Sequence, residues 1–278
     1  MEIADGPVKS GFQPAYTPDM CLILLALDSH PDYGLVVAAN RDEFYDRPTA
    51  PAALWDDAPS VLAGRDLKAG GTWLGVDERG RFAAVTNYRQ GQREPDAPRS
   101  RGLLVSEFLT ANVGAREYFE RVSADSELYN GFNLIGGEGR ELFYFSNREG
   151  RVRALEPGVY GLSNHLLDTA WPKVSATKSA LQVLLARDPG ELVPQLFELL
   201  ADRRQAEDHL LPRTGVSVEW ERLLSAAFIV SDDYGTRSST VVLVGRDGRI
   251  VFEERSFTRG GTAIGSLRHE LAGSAAER

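Results

Sequence analysis

The chain has 278 residues, a net charge of -9 at pH 7, 42% hydrophobic and 26% charged residues, and one cysteine. The acidic balance excludes the basic face of a typical nucleic-acid binder and disfavours anchoring on an anionic membrane. One cysteine excludes an intramolecular disulfide and any cysteine-rich metal site, and no apolar run approaches the roughly 20 residues that span a bilayer.

Residues 1–19 are rich in Gly, Pro and polar side chains and read as a disordered or extended leader. They have no basic segment followed by a long apolar core, so they are not a secretory signal, and cytoplasm is the default location. Three accounts of them stand: an over-long start whose true origin is Met20, a genuine extension, or a cleaved propeptide. Strands are then predicted over 21–28 and 34–39, with Pro31-Asp32-Tyr33-Gly34 as their turn. The densest polar cluster, Asn40-Arg41-Asp42-Glu43, follows the second strand. Strands over 72–77 and 81–87 flank Glu78-Arg79-Gly80, a short hairpin loop.

A Pro- and Arg-rich loop over 92–101 leads to helices over 103–111 and 115–124. Strands over 133–136 and 141–146 flank Gly137-Glu138-Gly139-Arg140. A helix over 172–186 places Val174, Leu181, Leu184 and Leu185 on one face. Asp188-Pro189-Gly190-Glu191 supplies a helix start, and Leu192, Val193, Leu196, Leu199 and Leu200 follow at helical spacing. Three strands are expected over 226–231, 239–245 and 249–257, and residues 258–278 as a peripheral tail or short helix. Antiparallel strands interrupted by helix pairs, with no strand–helix–strand alternation, imply an α+β fold: stacked antiparallel sheets with helices on the outer faces. Residues 20–257 read as a single domain.

The chemistry centres on Cys21, directly after Met20. With Met20 as the start and removed, Cys21 carries a thiol and a free α-amine, a nucleophile and its base on one residue. If the first two strands form a hairpin, Arg41 and Asp42 lie beside the thiol. A nearby cation favours the thiolate, and a carboxylate can hold the α-ammonium. Taken alone, a cysteine among apolar residues is also a small core residue, and the polar tetrapeptide is also a solvated strand end.

Further segments make the pattern specific. Met20-Cys21-Leu22-Ile23 and Ala38-Ala39-Asn40-Arg41-Asp42-Glu43-Phe44 are followed in order by Gly70-Gly71-Thr72-Trp73-Leu74-Gly75 and Thr86-Asn87-Tyr88-Arg89. Later come Tyr160-Gly161-Leu162-Ser163-Asn164, Thr169-Ala170-Trp171-Pro172-Lys173 and Asp233-Tyr234-Gly235-Thr236-Arg237. From Met20 to about Phe257 the chain resembles the NRDE family, which includes the transport and Golgi organisation protein 2 group. The resemblance implies a four-layer αββα sandwich like that of N-terminal-nucleophile (Ntn) hydrolases, with a more distant likeness to the cysteine amidases of that class. It implies Cys21, Arg41 and Asp42 as catalytic residues, Asn87 and Asn164 as oxyanion or orienting groups, and Arg237 as a late arginine. Asn87 and Asn164 also fit ordinary turn positions, and Arg237 fits an ion pair with Asp232 or Asp233.

The function so implied is hydrolysis of a non-peptide C–N amide bond, with a small-molecule amide as ligand and no cofactor. The alternative is a non-catalytic protein that binds or traffics haem or an acyl lipid, haem then being cargo. The four histidines, His30, His165, His209 and His269, share no metal-ligand spacing, and His165 alone is expected to border the site. Trp55, Trp73, Trp171 and Trp220 suit either a pocket wall or the core. Gly70-Gly71 lacks the spacing of a phosphate cradle.

Overall fold

In the computed structural model, residues 20–91, 95, 97–186 and 191–272 are described. The organising unit is the hairpin of β1 (Cys21–Leu27) and β2 (Tyr33–Phe44), paired antiparallel with Cys21 opposite Arg41 and Leu25 opposite Val37. Both strands are covered on both faces, which is why they read as continuous apolar runs rather than alternation. They lie in a six-stranded sheet of order β10-β1-β2-β11-β12-β13, completed by β10 (Gly158–Leu162), β11 (Tyr234–Gly245), β12 (Arg249–Phe257) and β13 (Ala263–Ala272).

A second sheet runs β3-β4-β5-β6-β7-β8-β9 in sequence order. Its strands are β3 (Thr49–Trp55), β4 (Ala58–Asp66), β5 (Leu74–Asp77), β6 (Arg81–Asn87), β7 (Phe132–Glu138), β8 (Glu141–Ser146) and β9 (Arg153–Ala154). Among the described residues every strand pairing in both sheets is antiparallel. Among the described residues five α-helices complete the fold: α1 (Gly102–Thr110), α2 (Ala115–Ala124), α3 (Pro172–Leu184), α4 (Leu192–Leu200) and α5 (Val218–Leu224).

Strand alternation separates three cores. Leu22, Leu24 and Ala26 of β1 face Val174, Leu181, Leu196 and Leu200 of α3 and α4. Ile23, Leu25 and Leu27 point the other way, against Leu62, Leu74, Phe82 and Ile135 of the second sheet. Beyond that sheet, Val61, Ala83 and Phe143 pack on Leu104, Phe108 and Phe119 of α1 and α2. The order helix, sheet, sheet, helix is the αββα sandwich that the resemblance implies.

Several details differ from expectation. Residues 226–231 form no strand; Val230 makes one bridge to Gly235. The backbone there bonds elsewhere: Phe228 N–H donates to Asp202 O (2.8 Å), Ile229 N–H to Thr236 Oγ1 (2.9 Å), and Ala227 O accepts from Asn40 Nδ2 (2.7 Å). Within the expected C-terminal tail, Ala263–Ala272 is an edge strand on β12, not a short helix, because its backbone pairs from Arg249↔Ala272 to Phe257↔Ala263. β3, β4, β9, β10 and α5 are additions; Ser217 caps α5 by accepting from Trp220 N–H. The helix start expected at Asp188-Pro189-Gly190 and the leader 1–19 lie outside the described residues. Among the described residues no helix is long and apolar enough to cross a membrane.

Candidate active site

Cys21 is the first residue of β1, so the alternation that sends Met20 and Leu22 toward the helices sends its side chain between the sheets. Arg41, its cross-strand partner, falls on the same face. Both line a cavity of about 490 Å³, within the usual size range of small-molecule sites. The backbone of Cys21 is fixed on both sides: its N–H donates to Asn164 Oδ1 (2.9 Å) and its carbonyl accepts from Ser163 Oγ (2.8 Å). Asn164 is buried, and its Nδ2 donates to Asn87 O (2.9 Å), tying the start of β1 to the end of β6. Asn87 also lines the cavity.

Arg237 reaches the same space through a bulge. β11 pairs Thr236 with Asp42 and Ser238 with Arg41, leaving Arg237 as the extra residue. Its guanidinium donates to Phe44 O (2.8 Å), Arg47 O (3.2 Å) and Thr49 Oγ1 (3.2 Å), and lies 5.8 Å from the Tyr45 ring. These partners are neutral; of the two acids expected to pair with Arg237, Asp233 lies against Arg259 instead. Burial, with the nearby Arg41, lowers the Arg237 pKa.

Asp42 is placed differently from Arg41. It also lines the cavity, but by strand alternation it lies on the Ala38 side of β2, and it is only 2% exposed. Oδ1 accepts from Thr236 Oγ1 (2.6 Å), whereas Oδ2 has no hydrogen-bond partner among the described residues. Burial raises its pKa to about 7, opposed by Lys173, the Thr236 bond and Arg41. The Asp42 backbone N–H donates to Met20 O (3.0 Å), so Asp42 lies beside the backbone end of Cys21. The thiol itself is pushed up to about 12, first by burial and next by the Asp42 charge, against the Asp42 N–H and Arg41. With Met20 attached, therefore, Cys21 is a protonated thiol at neutral pH.

Lys173 is the residue that sequence reading passed over as part of a motif. It opens α3 just after Pro172, is 4% exposed, and its Nζ has no hydrogen-bond partner among the described residues. Burial lowers its pKa to about 8, opposed by Asp42. Beside it, Arg89 and Glu221 form a buried ion pair at 2.8 Å. The cavity's apolar wall includes Trp73, Val85, Phe257 and Leu267, the last from the unanticipated β13. Arg47, Glu43 and Asp66 also line the cavity, Arg47 pairing with Glu43 (3.4 Å) and Asp66 (2.5 Å). His165 is not among the lining residues; its ring nitrogens contact Tyr88 OH (2.8 Å) and Thr169 Oγ1 (2.9 Å). Trp171 is core and Trp220 packs against it, while Trp55 stacks under Arg65 at 4.1 Å. Among the described residues, no group of three or more His, Cys, Asp or Glu side chains is placed to hold a metal ion.

Comparison with known proteins matches residues 20–259 to the family model described as Transport and Golgi organisation 2. A homologue of that name from Bos taurus is 42% identical, over 85% of this chain and 93% of its own length. The Mus musculus homologue is 39% identical with the same coverage, and the Drosophila melanogaster protein 29% identical over 86% and 93%. Among solved structures, a Caenorhabditis elegans N-acylethanolamine-hydrolyzing acid amidase ortholog aligns at 12% identity and a TM-score of 0.47, covering 80% of this chain and 92% of that one. On the family match and the closeness of these relatives, the chain belongs to the Transport and Golgi organisation 2 family.

Proposed function

We propose that this protein is an N-terminal-cysteine hydrolase of a linear, non-peptide amide, with Cys21 as nucleophile once Met20 is removed. The observation that supports it best is the placement of one residue: Cys21 directs its side chain into the cavity while Asn164 Oδ1 holds its nitrogen at 2.9 Å. After removal of Met20 that nitrogen is an α-amine with an ordinary pKa of about 7.7–8.0. It takes the thiol proton, directly or through a water, and Arg41 beside it favours the thiolate.

The thiolate sulfur attacks the amide carbonyl carbon, and the carbonyl oxygen takes the negative charge. Asn87, at the cavity wall, is the side-chain donor assigned to that oxygen; one such donor contributes about 3–4 kcal/mol. The C–N bond breaks as the ammonium of Cys21 returns its proton to the leaving nitrogen. Water then attacks the thioester, releasing a carboxylic acid and restoring the thiol. Asp42 and Asn164 hold the amine, and Arg237 adds a second guanidinium to the cavity lining.

The test is amine release from a panel of N-acyl amides, using protein whose first residue is Cys21. The proposal expects turnover that falls at least about 100-fold in Cys21→Ser. Full turnover by Cys21→Ala would refute it.

A second reading, a non-catalytic carrier of haem or an acyl lipid, is favoured by one observation. Met20 is built in: it is buried, its N–H donates to Tyr234 OH (2.6 Å), and the thiol behind its intact peptide bond is protonated. Ligand binding unaffected by Cys21→Ala, with no amide turnover, supports that reading instead.

A further inference from the structure

Behind β1, on the face away from the cavity, Met20 occupies the middle of a closed set of charges. Its carbonyl accepts from Asp42 N–H (3.0 Å), and its Sδ lies 3.7 Å from Arg89 Nη1, the arginine paired with Glu221. Lys173 lines the small hollow beside it, with Arg89, Trp171 and Glu221. Asp42 Oδ2 and Lys173 Nζ have no hydrogen-bond partner among the described residues, although both side chains are more than nine-tenths buried. Each lies in the other's field, Asp42 from β2 and Lys173 from α3. Buried polar groups left this way are costly and call for a third participant.

Removing Met20 creates that participant, because the nitrogen of Cys21, now an amide beside Asn164 Oδ1, becomes an amine. The charges around it come from every neighbouring element: Arg41, Asp42 and Glu43 from β2, Arg89 after β6, Lys173 from α3 and Glu221 from α5. Arg89 and Glu221 offset one another, Glu43 is shared by Arg41 and Arg47, and Arg47 also pairs with Asp66. One carboxylate, Asp42, is then left to two amines. A second full positive charge in this low-dielectric space is opposed.

We propose that Lys173 is a positioning residue for the nucleophile: it shares the buried carboxylate of Asp42 with the freed amine of Cys21, and thereby keeps that amine unprotonated near neutral pH. This rests on the function proposed above, since only a chain beginning at Cys21 has the amine. Lys173 acts through that amine and does not touch substrate. Burial raises Asp42 and lowers Lys173, and the attraction between the two opposes both shifts, which places each within the other's field.

The chain contains one cysteine, so labelling with 15N-cysteine gives a single nitrogen signal. In protein freed of residues 1–20, its pH titration reads the Cys21 amine directly; the full chain, with an amide there, gives the non-titrating control. The wild-type midpoint is expected below the ordinary range of about 7.7–8.0. Lys173→Met and Lys173→Gln raise it by about one pH unit, a tenfold change in the neutral amine's share, while Lys173→Arg keeps it low. A midpoint unmoved by Lys173→Met and Lys173→Gln overturns the proposal. If neither variant folds, the wild-type midpoint decides: a value at or above the ordinary range overturns it. A depressed, Lys173-dependent midpoint without amide turnover refutes the hydrolase reading alone. Turnover with an ordinary, Lys173-insensitive midpoint refutes this inference alone.

Discussion

Asp42 makes the full chain's stability fall with rising pH in a window where most carboxylates leave it flat. Its carboxyl ionises near 4 when unfolded but at about 7 when folded, chiefly because burial removes it from water. Between those values the native state holds a proton that the unfolded state has lost. Stability therefore declines as pH rises from about 4 to about 7, at a limit of ~1.4 kcal/mol per pH unit and ~4 kcal/mol in all. Asp42→Asn removes the ionisation while keeping an oxygen that can accept from Thr236 Oγ1, now at 2.6 Å from Asp42 Oδ1. Whatever its offset at pH 4.5, the variant lacks this decline. The assay is urea unfolding of both proteins from pH 4.5 to 7.5. Histidines His30 and His165, whose pKa values burial lowers, contribute to both curves and drop out of the difference. The difference is expected to change by about 2–4 kcal/mol across the window. Parallel curves would show that the buried carboxylate is ionised throughout, and would refute the reasoning.

Asn164→Ala leaves the Cys21 N–H and the Asn87 carbonyl without the partners they have at 2.9 Å. At about 0.5–1.5 kcal/mol for each of these two part-buried hydrogen bonds, unfolding should show a loss of ~1–3 kcal/mol; an unchanged stability contradicts the tie between β1 and β6. Glu221→Gln strips the charge from a pair whose side chains are 1% and 5% exposed, and should cost ~3 kcal/mol by the same assay. A neutral result would mean that Arg89 has another buried counter-charge. Gly71→Ala puts a Cβ 2.4 Å from the Gly102 carbonyl carbon, at the start of α1, and should lower stability by at least ~1–3 kcal/mol. Gly34→Ala, whose nearest atom is at 4.0 Å, is the control.

The hairpin that carries Cys21 was legible because two apolar runs separated by a turn have one economical pairing, which sets Cys21 opposite Arg41. The helix over Ala115–Ala124 was legible from its pattern as well. What failed to show was structure fixed by tertiary contacts. β3 carries Pro51 and exposed Ala53 and Leu54, so its alternation is broken, yet it closes the cavity. The apolar run at 226–231 has strand composition, but its backbone is spoken for by Asp202 and Thr236.

At the site, Arg41 and Asp42 read as a pair beside the thiol. Both line the cavity with Cys21, but the two-residue period of a strand turns the Asp42 carboxylate toward Thr236 and the helix side, a distinction the alternation itself contains. The bulge that aims Arg237 has no signal in its neighbours. Lys173 has none either, since a lysine in the first turn of a helix is ordinarily solvated. Its burial follows from α3 docking on β1 and β10, which no local pattern reports.

The central claim, that Cys21 acts from a free N-terminus, is tested most directly by intact mass and N-terminal sequencing of untagged protein made from its natural start. The account predicts a chain whose first residue is Cys21, with the α-amine available to its own thiol. A chain that uniformly retains Met20 would contradict it, leaving a blocked amine and a protonated thiol.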